Sequence, residues 1–145
     1  MTEVTFHFNV PDKWDYVCRL LRKAGTKGAR VTVTGEPDAI ARLDGQLWAL
    51  SPTDFVPHCT AGGADAITLA ASPIVFCAAC DMSPHHEVLL NLGPIVPCGF
   101  ERFERLIEVV GAEDADRQSS RQRWKFYQER GYAIRRHDAA AREPM

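Results

Sequence analysis

The segment VTFHFNVPDKWDYVCRLLRKAG, residues 4–25, changes its hydrophobic period at a single point, and that change restricts the fold more than any other feature. Val4, Phe6, Phe8 and Val10 alternate with Thr5, His7 and Asn9, the period of a strand with one face buried. From Trp14 through Val17, Cys18 and Leu21 the spacing becomes helical, with Arg19, Arg22 and Lys23 elsewhere on the wheel. Pro11 and Asp12 open that helix, and Gly25 to Gly28 stop it.

The unit repeats. Ala29 to Thr34 reads as a β-branched strand, Gly35-Glu36-Pro37-Asp38 as a turn and helix start, and Ile40, Leu43 and Leu47 as a helical stripe. The stretch SPTDFVPHCTAGGAD (51–65) reads as a loop, followed by strands at Ile67 to Ala71, IVFC (74–77) and EVLLNL (87–92). FERFERLIEVV (100–110) fits either period, and the reading adopted is a strand over 105–110. Beyond Gly111, the acids Glu113, Asp114 and Asp116 favour a helix N-terminus, giving a helix to about Arg130 with Gly131 as its C-cap. Alternation of this kind predicts an α/β fold, a single three-layer domain with a mostly parallel central sheet flanked by helices. The domain is expected over 1–138, with 139–145 as a flexible tail. A chain of 145 residues, 46% hydrophobic, suits one core.

Several function classes are excluded or weakened. No run approaches the roughly 18 apolar residues of a membrane span, and MTEVTFHFNVPDKW lacks the basic start and apolar stretch of a secretory signal, so a cytoplasmic protein without membrane contact is expected. The five cysteines have no framework spacing and read as reduced thiols. Neither G-x-G-x-x-G nor G-x-x-x-x-G-K-[ST] occurs, and the first strand-to-helix turn, Asn-Val-Pro-Asp, puts an acid where phosphate would sit. Cys77 and Cys80 with His85 and His86 have a pair spacing that zinc accepts, but the second ligand pair is not framed as a structural site requires, and buried thiols are the favoured reading. His58 and Cys59 are adjacent, so on extended backbone they point to opposite sides and make a poor dyad. No nucleophile elbow is present. The expectation is a protein without catalysis, cofactor or metal.

Two features are more than a core requires. Trp48, Phe55, Val56 and Pro57 set two aromatics and a Val-Pro step in and beside a loop, where they serve either a protein interface or the domain's own core. The second is RQRWKFYQERGY, residues 121–132. From Arg117 to Arg136, seven cations stand against Glu129 alone, so the segment carries +6 in a chain of net charge −2. At about 100° per residue from Arg117, Arg121 falls at about 40°, Trp124 at about −20° and Lys125 at about 80°, while Phe126 lies at about 180° and can face the core. Three cations around an indole form either a solvated face, a nucleic-acid surface, or a site for an acidic ligand with an aromatic tip.

At LWALSPTDFVPH (47–58), EVLLNL and the Arg-x-Arg-Trp-Lys-x-Tyr helix closed by Gly-Tyr, the sequence resembles the chi subunit family of bacterial DNA polymerase III, from the FHFNV strand to about Arg136. The resemblance implies a Rossmann-like α/β domain without a nucleotide site or catalysis, bridging two partners. One is the psi subunit of the clamp-loader complex, at positions matching Trp48 and Phe55, with Val56, Pro57 and His58 nearby. The other is the acidic, phenylalanine-ending C-terminal tail of single-stranded DNA-binding protein, at Arg117, Arg121, Trp124 and Lys125 with Val110 as an apolar wall. DNA contact would then be mainly indirect. The alternatives are a direct nucleic-acid-binding module using the basic helix and, more remotely, a zinc-dependent enzyme around Cys77 and Cys80.

Overall fold

The computed structural model describes residues 2–48, 58–60, 74–77, 86–97 and 99–138, with backbone alone for 25, 26, 47, 48 and 58–60. Its strands are β1 (Glu3–Val10), β2 (Val31–Thr34), β3 (His58–Thr60), β4 (Ile74–Cys77), β5 (Val88–Asn91), β6 (Arg105–Gly111) and β7 (Ile134–Asp138). The helices among the described residues are α1 (Lys13–Thr26), α2 (Pro37–Trp48) and α3 (Asp114–Glu129), with a 3-10 turn at Phe100–Arg102. The strands form one sheet in the order β3-β4-β2-β5-β6-β1-β7, and each pairing is parallel. The expected α/β architecture is therefore present.

Parallel strands need cover on both faces, and the core is accordingly double. Val31, Val33, Val88, Leu90 and Val109 pack with Val17 and Leu21 of α1 and Ile40 and Leu43 of α2. Val4, Phe6, Leu89, Leu106 and Val110 pack with Tyr127 of α3 and with Phe100 and Phe103. Alternate residues of one strand thus serve opposite cores, which makes the strands read as continuous apolar runs.

Three expectations change. β1 was read as buried on one face, with Val10 beside Phe8. In the structure Phe8 joins the α3 side and Val10 the α1 side, because a register shift between His7 and Val10 reverses the alternation. Asn9 supports that bulge with φ 57, a left-handed conformation that asparagine tolerates, and its side chain donates to Asp138 Oδ1 at 3.2 Å. β3 falls inside the stretch expected to be loop. Among the described residues it is an edge strand, paired on one side with β4, so its three residues needed little apolar signal. β7 was not anticipated at all, and it too is an edge, paired with β1 from Val4↔Ile134 to Phe8↔Asp138. The strand expected at 67–71, the remainder of the 51–65 loop and the tail lie outside the described residues.

The end of α3 explains how β7 is aimed. Gly131, at φ 82, donates to Gln128 O at 3.1 Å, and Tyr132 N donates to Tyr127 O at 3.1 Å, the two bonds of a Schellman stop. The Tyr132 ring lies edge-on to Tyr127, 6.4 Å between centroids, which supplies the apolar contact of that motif. The chain leaves the helix at a fixed angle and enters the sheet beside β1.

Candidate functional site

The helix α3 separates its cations into two kinds. Its buried residues are Ser120, Arg123 and Tyr127, while Phe126 is half-buried, packs at the edge of the same core and has Arg130 stacked 4.0 Å above its ring. Arg123 is 3% exposed and directs Nε to Glu108 Oε1 at 2.9 Å; Glu108 is fully buried on β6. Tyr127 donates to the other carboxylate oxygen at 2.6 Å, and Asn91 donates to both at 3.1 Å. Arg123 Nη1 also reaches Pro94 O at 3.0 Å and Ser119 Oγ at 2.5 Å. Burial pushes the Glu108 carboxyl above the ordinary carboxylate range, opposed by the Arg123 charge and by the hydrogen bonds from Tyr127, Asn91 and Arg123. A buried pair satisfied on all sides fixes the rotation of α3 against the sheet, and loss of one partner would leave an uncompensated charge.

With the helix fixed, its adjacent side opens onto a concavity of about 370 Å³ lined by Phe6 and Phe8 of β1, Val110 of β6, Ser120, Arg121 and Trp124 of α3, and Arg136 of β7. The Trp124 ring packs against Phe6 with centroids 5.0 Å apart, and the Arg136 guanidinium lies 5.9 Å from the indole centroid. The site expected from the sequence was Val110, Arg117, Arg121, Trp124 and Lys125. The structure brings Val110, Arg121 and Trp124 to one hollow, and leaves Arg117 and Lys125 exposed on α3 outside its lining. Phe6, Phe8, Ser120 and Arg136 were missed. Arg136 shares the α3-side face with Ile134, two residues earlier on β7, a placement that depends on the strand's pairing with β1.

The +6 segment is thereby sorted. Arg123 is buried on Glu108, Arg135 pairs with Glu3 at 3.1 Å, and Arg130 lies on Phe126. Among the described residues, Arg117, Arg121, Lys125 and Arg136 form no ion pair. Their donors are available to a ligand.

A second crevice, of about 860 Å³, lies at the carboxyl ends of β1, β2, β5 and β6, where folds of this type bind nucleotides. Asp12, Glu36, Asp38, Glu113 and Asp116 wall it, against Lys13 and Arg42. Asp116 Oδ2 already accepts from Gly111 N at 2.6 Å and from Lys13 at 3.2 Å. Carboxylates occupying these turns repel phosphate, which agrees with the missing glycine motifs.

Of the residues expected to meet psi, Trp48 ends α2 and His58 begins the edge strand β3, while Phe55, Val56 and Pro57 lie outside the described residues. Cys77 is buried in β4 and His86 is exposed before β5, whereas Cys80 and His85 lie outside the described residues. Among the described residues no three potential metal ligands gather. Nor is any described helix long and apolar enough to cross a membrane.

Comparison with known proteins gives the lineage. The family model described as DNA polymerase III chi subunit, HolC, matches residues 1–135. The chain belongs to the DNA polymerase III chi subunit family. It is similar to the DNA polymerase III subunit chi of Pseudomonas aeruginosa, 31% identical over 143 residues, 94% of this chain and 96% of that protein. It is also similar to the subunits chi of Haemophilus influenzae, 28% identical over 122 residues (83% of each chain), and of Escherichia coli, 28% identical over 120 residues (81% of this chain, 80% of that one). The family match runs from β1 through α3 and stops within β7, one residue before Arg136.

Proposed function

We propose that this chi-family chain is a non-catalytic, cytoplasmic adaptor of the replication machinery, in which the α3 concavity binds the acidic C-terminal tail of single-stranded DNA-binding protein. Through Trp48, Phe55, Val56, Pro57 and His58 it joins a psi-type subunit of the clamp-loader complex. The observation that carries the tail reading is the opening of Arg121, which has no ion pair among the described residues, and half-buried Trp124 onto one hollow floored by buried Val110. Guanidinium groups hold carboxylates, and the indole with Val110 forms an apolar wall for a phenyl ring. Each charge-assisted contact contributes about 1.5–3 kcal/mol when partly desolvated, and exposed contacts weaken with salt. Direct binding of nucleic acid fits less well, because Arg123 and Arg135 of the basic segment are already paired with carboxylates.

Fluorescence anisotropy with a labelled acidic peptide ending in Asp-Phe, set against a labelled oligonucleotide, tests this. The peptide binds with a salt-sensitive affinity, and Arg121→Ala weakens it about tenfold or more while the circular dichroism spectrum is unchanged. An oligonucleotide that binds where the peptide does not overturns the reading.

A further inference from the structure

The hollow on α3 is closed by a strand that the helical motif does not contain. β7 pairs Arg136 directly with Phe6, and Phe6 packs on Trp124, so the pairing register itself delivers the Arg136 guanidinium to the indole. Its neighbours in the strand, Arg135 and His137, belong to the other face: Arg135 pairs with Glu3, and His137 stacks 4.9 Å from His7. Arg136 is exposed, lines the concavity with Arg121, and has no carboxylate partner among the described residues.

We infer that Arg136 is a second ligand-binding cation of this site, so that an acidic ligand is held by guanidinium groups from two separate elements, α3 and β7, with the Trp124 indole in the same lining. The inference rests on the tail-binding reading above and adds to it a specificity requirement. Arg121 alone would accept any carboxylate, whereas two forks supplied by a helix and a strand favour a peptide carrying at least two carboxylates beside its aromatic side chain. The guanidinium over an aromatic face is oriented before the ligand arrives, so less rotamer freedom is lost on binding than for a freely rotating lysine.

The experiment measures binding of the same labelled acidic peptide by anisotropy for the full chain and for Arg136→Met, Arg136→Lys and Arg135→Gln. Methionine keeps an apolar stem over the indole and removes the donors, so Arg136→Met weakens binding about five- to tenfold with unchanged thermal melting. Arg136→Lys recovers part of the loss. Arg135→Gln removes the same charge one residue away on the opposite face and leaves affinity within about twofold. Equal losses in Arg136→Met and Arg135→Gln would mean a general effect of net charge, and the inference would be wrong. Wild-type affinity in Arg136→Met, with Arg121→Ala still impaired, overturns the Arg136 contact and spares the tail reading. Absence of peptide binding in the unmodified chain sinks both.

Discussion

Two concavities of this molecule differ in sign, one walled mainly by carboxylates and the other by aromatic side chains and arginines. The crevice at the strand ends keeps the position where α/β sheets take phosphates, but its turns carry Asp12, Glu36, Asp38, Glu113 and Asp116. The hollow beside α3 is lined by aromatic side chains with Arg121 and Arg136. In the crevice, some charges satisfy one another or the backbone, as Lys13, Asp116 and Gly111 do. In the hollow they are left without partners among the described residues.

The hardest test of this contrast is on the buried side of α3. Glu108→Ala leaves Arg123 buried without its carboxylate and costs about 3–5 kcal/mol, so the melting temperature falls by roughly 10 °C or more. A fall of only a degree or two would show that the Arg123 pair does not fix α3. The next test reverses one charge in each concavity. Arg121→Glu abolishes measurable binding of the acidic peptide, while Asp38→Lys, in the crevice, leaves it within about twofold; anisotropy on both variants decides the matter. Comparable losses would break the distinction between the two sites.

The smallest effect concerns the sheet face opposite the hollow. Burial, and secondarily the neighbouring His137, lowers the His7 pKa to about 4, and its Nδ1 lies 2.5 Å from the Tyr16 hydroxyl. An unfolded histidine takes up its proton near its ordinary value of about 6.5. Stability from this group is therefore complete above about pH 6.5, and it declines as pH falls towards 4. Urea titrations at pH 7 and pH 5 should show the wild type losing more stability than His7→Gln. A pH dependence identical in the two proteins would remove His7 from the account.

Much of the fold was legible because its elements announce themselves by period. The β1 to α1 switch at Pro11, the stripe of α2 and the acid-started, glycine-stopped α3 all follow from local chemistry. The edge strands were not legible. IRRHD and HCT each pair on one side, so register with a neighbour, rather than their own residues, makes them strands. The candidate site was half legible for the same reason. A helical wheel brings Arg121 and Trp124 together, but only the sheet order brings β1, β6 and β7 beneath them. The wheel could not foresee that a glutamate on β6 would draw Arg123 into the core.

The position of β1 has a consequence for synthesis. β1 is made before both of its neighbours and lies between β6 and β7, with Val4 opposite Leu106 and Ile134. At roughly 5–20 residues per second, it waits several seconds for either neighbour, its phenylalanines unpaired meanwhile. The hollow beside α3 can form only when β1, β6, α3 and β7 have all been made, so a nascent chain that lacks β7 has no complete hollow.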